Sequence, residues 1–286
     1  MRIFTDPEEL SAQCREWRAA GDDISLVPTM GYYHAGHERL MRRARDLAKR
    51  MIVSLFVNPT QFGPGEDLEA YPRDFERDRA IAERQGADAL FAPTPKDFYY
   101  TNHSTWVEVP ELARGLCGAT RPTHFRGVCT VVLKLFLATG ADVAVFGQKD
   151  WQQQAIIRRM ARDLNVPTRV ETVPTEREPD GLAMSSRNVY LSPEERQIAP
   201  NIRKGLELAA SLVAEGETEA TKILASVREY WKANLPGAGI DYISLVHPED
   251  LRELERIDDA GLLACAVKLG KARLIDNILL QRRQYA

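Results

Sequence analysis

Apolar and polar positions follow two alternating rhythms through the first two thirds of the chain. Short apolar runs occupy residues 24–27, 51–56, 89–92, 143–146 and 168–173. Between them, apolar positions recur every three to four residues over 36–49, 71–85, 127–137 and 150–164, the period of an amphipathic helix. Buried strands alternating with helices predict βαβ units, in which helices cover both faces of a parallel sheet. The expected fold class is therefore α/β: a doubly wound, Rossmann-like parallel sheet with its ligand site at the carboxyl ends of the strands.

The rhythm changes after Val173. The segment "PTEREPDGLAMSSRNVYLSPEERQ" is polar and turn-rich, and predicts a long functional loop. Helical patterns follow at 193–215 and 219–233, then the apolar alternations "IDYISLV" and "LLACAVKLGKARLIDNILL". The last predicts neighbouring strands or a hairpin around "LGKA". The expected organisation is a Rossmann-like domain over 1–173 and a smaller C-terminal α+β domain over 174–286. No internal repeat or low-complexity tract interrupts it.

Composition narrows the function classes. The 286 residues are 44% hydrophobic and 28% charged, an ordinary globular balance. A net charge of -3 gives no general attraction to nucleic acid or anionic membrane, so neither is an expected partner. No apolar run approaches the ~20 residues of a membrane helix, and "MRIFTDPEELSAQ" lacks the apolar core of a secretory signal. Cys14, Cys117, Cys129 and Cys265 form no C-x-x-C pair and match no zinc spacing. They read as buried free thiols in a reducing compartment, which makes the expected location cytoplasmic.

Candidate chemistry begins at "VPTMGYYHAGHERL". Two of the five histidines, His34 and His37, stand where the first predicted strand feeds its helix. A helix start offers unpartnered backbone N–H groups and the positive end of a dipole, and Gly36 lets a phosphate approach the backbone. Two imidazoles there can donate to phosphate oxygens. A partial zinc site, or ordinary packed histidines, would also fit the pair. In "VFGQKDWQQQ", Lys149 and Asp150 follow another predicted strand. The lysine suits a phosphate; a solvated pair, with Asp150 capping the helix, is the plainer alternative. In "AMSSRN", the hydroxyls of Ser185 and Ser186 and the guanidinium of Arg187 suit a polyphosphate, or simply decorate an exposed loop. Taken together these groups suggest a nucleoside triphosphate. No G-x-x-x-x-G-K-[ST] loop occurs, nor a G-x-G-x-x-G after the first strand, which argues against a P-loop enzyme and a nicotinamide dehydrogenase.

"PTMGYYHAGH" resembles the HxGH segment of the nucleotidyltransferase superfamily, and "MSSRN" resembles its KMSKS-like loop. With "VNPTQF", "RPTHFRGVCTVVLKLF", "FGQKDWQQ" and "REPDGLAMSSRNVYLS", in matching order over most of 27–192, the chain resembles the pantothenate synthetase (pantoate–β-alanine ligase) family. The C-terminal part resembles that family in length and position more than in motif. The resemblance implies ATP-dependent condensation of pantoate with β-alanine through pantoyl adenylate, releasing AMP and pyrophosphate, with Mg²⁺ bridging phosphate oxygens. It implies that His34, His37, Lys149, Ser185 and Arg187 act on the phosphates. Pro28, Met30, Gly147, Asp150, Met184 and Ser186 would join them around ATP, with Asp150 at the ribose and Met30 and Met184 at the adenine. Gln61 and Gln153 would grip pantoate, helped by Asn58. The protein ligands of the metal stay open, with Asp78 and Asp74 as weak candidates, and a homodimer is the expected assembly. The long loop and the small domain are expected to close over the water-sensitive adenylate.

Some positions depart from the family's pattern. Tyr32 and Tyr33 stand where a small residue and Leu are usual, Thr123 where Gly is common, and Gln148 where Glu is usual. "KDFYY" replaces an acidic-Met-Tyr-Pro segment. Three rival readings remain in view. An adenylyltransferase of the same superfamily would keep AMP in its product. A class I aminoacyl-tRNA synthetase relative would need a large RNA-binding surface, against which the charge and the short C-terminal part both argue. A non-catalytic nucleotide binder would leave Lys149 and Arg187 unexplained.

Overall fold

The computed structural model describes residues 1–281. Six parallel strands form the main sheet: β1 (Arg2–Phe4), β2 (Ile24–Thr29), β3 (Arg50–Leu55), β4 (Ala89–Phe91), β5 (Val143–Gly147) and β6 (Arg169–Val173), in the order β1-β4-β3-β2-β5-β6. The chain steps outward from β2 through β3 to β4, then returns to the other side of β2 for β5 and β6. The reversal lies between β2 and β5, where doubly wound sheets bind ligands beyond the strand ends. The expected fold class is observed.

Burial explains why the central strands were readable. All but Pro28 of the β2 residues are buried, as a strand covered on both faces requires. Helix Ala35–Leu47 sets Met41 and Ala44 into the core that also holds Val27, Tyr33, Val53, Leu90 and Val145. Each large apolar side chain so buried contributes about 1.5–3 kcal/mol. Helix starts were less readable. The helix expected from residue 71 begins at Phe75, because Asp74 caps it by accepting from the Arg77 amide at 3.1 Å. The pattern assigned no element before Ile24, yet β1 and helix Pro7–Ala19 lie there.

The chain divides into two compact units. The first comprises Met1–Ala113, Arg121–Gln148 and Gln153–Pro174; the second comprises Arg114–Thr120, Lys149–Gln152 and everything from Thr175 on. The second unit carries an antiparallel sheet, β7 (Gly239–Val246), β8 (Ala260–Leu269) and β9 (Ala272–Gln281), with β8 in the middle. The helical stretch expected over 193–215 is two helices, Pro193–Ile198 and Asn201–Ala214. The break falls at Pro200, which has no N–H to continue the ladder. Among the described residues no helix is long and apolar enough to cross a membrane.

Helices Asn201–Ala214 and Ala220–Asn234 meet at Gly205. A methyl group there would lie 2.1 Å from the indole nitrogen of buried Trp231, which donates to the Asn201 carbonyl at 3.0 Å. Helix propensity alone would favour Gly205→Ala by about 1 kcal/mol. Displacing the indole and breaking its hydrogen bond outweighs that. The expected net loss is about 1–3 kcal/mol, read as a lower midpoint in urea unfolding; an unchanged or higher midpoint contradicts the packing argument.

Candidate functional site

The turn after β2 is built around one carboxylate. Asp78, on helix Phe75–Arg84 and 1% exposed, accepts from the Tyr32 amide at 2.6 Å and the Tyr33 amide at 2.8 Å. Gly31 and Tyr32 both take positive φ, 92° and 51°. Glycine is required at the first: a β-carbon at Gly31 would sit 2.5 Å from Leu55 and 2.9 Å from the Asp78 carboxylate. The second is a strained conformation for a bulky residue, held by Asp78 and by Arg77, whose guanidinium covers the Tyr32 ring at 5.1 Å and donates to the Tyr33 carbonyl at 2.8 Å. Burial raises the Asp78 carboxyl above its ordinary value, while the two amides and Arg77 pull it down. Tyr33, one of the departures noted above, is fully buried. Its hydroxyl meets Thr29 at 3.3 Å, and its ring lies 5.4 Å from that of His37.

That turn delivers His34 to the N-cap of helix Ala35–Leu47. His34 Nδ1 accepts from the Gly36 amide at 3.2 Å, and His37 Nδ1 accepts from the His34 amide at 3.2 Å. The two imidazoles are a reciprocal capping box, with ring centroids 4.1 Å apart. A backbone amide can only donate, so both Nδ1 atoms hold lone pairs. The proton of each neutral ring is therefore on Nε2, as a hydrogen-bond donor.

Asp78 and Asp74 have other tasks than the metal-binding one expected of them. Both Asp78 oxygens hold amides, and Asp74 caps a helix. Among the described residues no group of three or more His, Cys, Asp or Glu is placed to hold a metal ion.

Also in the first unit, the turn after β3 forms an amide cluster. Asn58, 1% exposed, caps the 3₁₀ turn Pro59–Gln61. Its Nδ2 donates to Gln61 Oε1 and to the Gly127 carbonyl, both at 3.1 Å. Its Oδ1 accepts from the Thr60 amide at 3.4 Å, the Thr60 hydroxyl at 2.9 Å and the Tyr99 hydroxyl at 3.0 Å. Asn58 is thereby engaged on every side by protein. Gln61 Nε2 lies 3.0 Å from the Met30 sulfur. The Gln61 carbonyl faces Arg121, which donates at 3.3 Å, and His124 Nδ1 at 2.8 Å. Arg121 also pairs with Glu66 through two contacts, 2.7 Å and 2.6 Å. Burial works to raise the Glu66 carboxyl, but Arg121 outweighs it and holds the group below its ordinary value. Helix His124–Thr139 reaches this turn only because Gly127 has no side chain: a β-carbon would be 2.4 Å from the Thr60 carbonyl oxygen. Arg121, His124, Glu66 and Tyr99 were not singled out as site residues, although "RPTHFRG" and "KDFYY" contain three of them.

The glutamine run after β5 sorts by burial. Gln152, in the second unit, accepts from the Cys117 amide at 3.0 Å and donates to the Gly115 carbonyl at 2.8 Å. Gln154, in the first, donates to the Gly147 carbonyl and accepts from Thr172 at 2.6 Å. Gln153 between them is partly exposed, as are Pro28, Met30 and Gly147.

In the second unit the long loop is an ordered turn. Glu178 donates its amide to Leu182 at 2.8 Å, and Met184 donates to Glu176 at 3.0 Å, with Gly181 at φ 92°. Arg177 anchors it to β9 through a two-contact pair with buried Asp276, at 2.7 Å and 2.9 Å. Asn277, next on β9, donates to the Lys149 carbonyl at 2.9 Å. Lys149 Nζ donates to the Met184 carbonyl at 3.1 Å, so lysine and loop are tied together. Burial lowers the Lys149 ammonium below its ordinary value; Arg187 and Arg177 lower it further, while Asp150 and Asp276 oppose them. Ser185 caps the 3₁₀ turn Ser186–Tyr190 by accepting from the Arg187 amide at 3.3 Å. Asp150 is exposed; Met184, Ser185, Ser186 and Arg187 are partly exposed.

The tautomer assignment has a direct check. Nitrogen-15 NMR at neutral pH should show unprotonated Nδ1 and protonated Nε2 in both His34 and His37. A protonated Nδ1 in either would contradict the capping box. Acid that protonates Nδ1 should weaken the helix start by about 0.5–2 kcal/mol, as for loss of an N-cap.

Comparison with known proteins gives the family. The family model described as pantoate–β-alanine ligase matches residues 2–279. A pantothenate synthetase of Desulfovibrio desulfuricans is 67% identical over 280 residues, 98% of this chain and 99% of the relative. The crystal structure of pantothenate synthetase from Thermus thermophilus superposes with a TM-score of 0.92 at 44% identity, covering 97% of this chain and 99% of that one. A pantoate–β-alanine ligase from Francisella tularensis, solved in complex with beta-gamma ATP and β-alanine, superposes with a TM-score of 0.80 at 32% identity, covering 98% and 97%. The chain belongs to the pantoate–β-alanine ligase family, enzymes that make pantothenate from pantoate and β-alanine.

Proposed function

We propose that the chain condenses pantoate with β-alanine in two steps, through pantoyl adenylate. A pantoate carboxylate oxygen attacks the α-phosphorus of ATP and pyrophosphate leaves. The β-alanine amine then attacks the acyl carbon; the acyl C–O bond breaks, AMP leaves with that oxygen, and the amine sheds a proton. The observation that carries this reading is the reciprocal capping of His34 and His37. It fixes both rings with Nδ1 as acceptor, which leaves Nε2 as the N–H donor of each neutral ring at a helix N-terminus, the setting in which a polyphosphate is stabilised. The Francisella tularensis relative's complex with a form of ATP and β-alanine supports the same substrates here.

The roles follow from residue chemistry. His34 and His37 donate to phosphate oxygens, with Lys149, Ser185, Ser186 and Arg187 offsetting charge that moves onto the leaving pyrophosphate. Pro28, Met30, Gly147, Asp150 and Met184 complete the nucleotide contacts. Gln61 and Gln153 hold pantoate with neutral amides, which orient the carboxylate without pairing its charge. Asn58 serves by holding Gln61. Mg²⁺ arrives on ATP, held by phosphate oxygens; Asp78 and Asp74 do not fit as its ligands, and no step here runs through it. An adenylyltransferase that retains AMP is the alternative, but the resemblance gives that reading no use for an acid-holding amide pair.

Pantoate labelled with oxygen-18 in its carboxylate separates the two. One labelled oxygen should appear in free AMP. Unlabelled AMP, or an adenylyl group kept in the product, would refute the two-step route. A second expectation concerns pH. Only the ammonium form of Lys149 attracts phosphate, so ATP affinity should fall as pH rises through the lowered lysine value. Lys149→Arg should move that fall upward, because guanidinium stays protonated. Identical calorimetric profiles for the two proteins would remove Lys149 from the phosphate site.

A further inference from the structure

The amide cluster after β3 has a fixed polarity, and its origin can be traced. Two backbone groups with no choice of role set it. The Thr60 N–H can only donate, so the Asn58 atom facing it is the oxygen. The Gly127 carbonyl can only accept, so the Asn58 atom facing it is the nitrogen. With Asn58 oriented, its second N–H points at Gln61 and makes Oε1 the acceptor. The Gln61 NH₂ is then turned the other way, toward Met30 just past β2.

Tyr99 joins this chain at its far end. Its hydroxyl lies 3.0 Å from Asn58 Oδ1 and 3.3 Å from the Thr60 hydroxyl. An amide oxygen carries no proton, so the phenol donates. The ring is held in place by Phe98 at 5.9 Å, His103 at 5.0 Å and Phe56 at 6.3 Å between centroids, and by the Lys134 ammonium 5.5 Å above it. Burial raises the Tyr99 phenol above its ordinary value, which keeps the donated proton in place across the working pH range. In "KDFYY", Tyr99 stands at the tyrosine of the acidic-Met-Tyr-Pro pattern, and the departures are its neighbours Phe98 and Tyr100.

We propose that Tyr99 is a positioning residue for the acid substrate: it locks Asn58, and Asn58 locks Gln61 with its NH₂ presented as a donor. The inference rests on the reading that Gln61 holds pantoate. It adds that Gln61 acts as a donor only, which selects a carboxylate or hydroxyl oxygen and disfavours an N–H or ammonium group at that point. Tyr99 touches no substrate; it acts through two amides.

The test is steady-state kinetics on Tyr99→Phe, Gln61→Ala and the double variant. Tyr99→Phe keeps the ring packing and removes one hydrogen bond. A net bond of about 0.5–1.5 kcal/mol corresponds to a rise of roughly 2- to 12-fold in the KM for pantoate. The KM for ATP should stay put and the thermal midpoint should fall by no more than a few degrees; a merely structural role would lower the midpoint without a selective rise in the pantoate KM. In the Gln61→Ala background, Tyr99→Phe should add nothing. If Gln61→Ala raises the pantoate KM while Tyr99→Phe does not, the inference fails and the pantoate reading stands. An equal Tyr99→Phe effect with and without Gln61 also overturns it. If Gln61→Ala leaves the pantoate KM unchanged, the pantoate reading fails and takes the inference with it.

Discussion

The turn between β2 and its following helix depends on one buried carboxylate. Without Asp78, two consecutive amides would be left without acceptors just where Gly31 and Tyr32 turn through left-handed backbone. Burying such amides without partners would cost about 1–3 kcal/mol each. Those amides and Arg77 offset part of the cost of keeping Asp78 charged in a buried position; burial still holds the carboxyl above its ordinary value. The result is a turn of fixed shape, which sets His34 at the helix cap rather than in the helix. From there the geometry follows: His34 caps the helix, His37 caps His34, and both rings are fixed in tautomer and direction.

The same logic recurs in the amide cluster. Side chains that can point either way are fixed by backbone groups that cannot. Thr60 and Gly127 orient Asn58; Asn58 orients Gln61. The close approach of helix His124–Thr139 at Gly127 is what brings that carbonyl within reach. Arg121 and His124 then hold the Gln61 backbone from the same helix end. On the proposed reading, a glutamine so constrained would lose little freedom on binding the acid, which is how preorganised sites keep their affinity.

The sheet was legible because its strands are buried on both faces and read as unbroken apolar runs. β1 was not, since three residues at an edge, two of them exposed, carry too little pattern. Helix Pro7–Ala19 carries a strong local signal, Asp6 followed by Pro7, Glu8 and Glu9, but no apolar run precedes it to mark a βα unit. At the site, sequence spacing placed His34 and His37 on one helix start. It could not show that each caps the backbone, because that depends on the turn Asp78 builds from 45 positions away. Nor could it tell Gln153 from its neighbours: only packing shows that Gln152 and Gln154 spend their amides inside the protein. Asp78 misled for a related reason. A lone aspartate near a phosphate motif looks like a metal partner until its burial is known.

The two units use charge differently. In the first, the donors at the helix start and the amide cluster are the Nε2–H of neutral imidazoles and the glutamine NH₂. In the second, Lys149 and Arg187 are cationic, and Lys149 is held to the loop that carries Arg187. A reaction joining an anionic acid to an anionic nucleotide needs both. Cations alone would grip the carboxylate as firmly as the phosphates and blunt its attack. Neutral donors alone would leave phosphate repulsion unopposed. On the proposed reading, cations would serve the leaving pyrophosphate and uncharged donors the acid, which would lower the barrier without trapping the nucleophile.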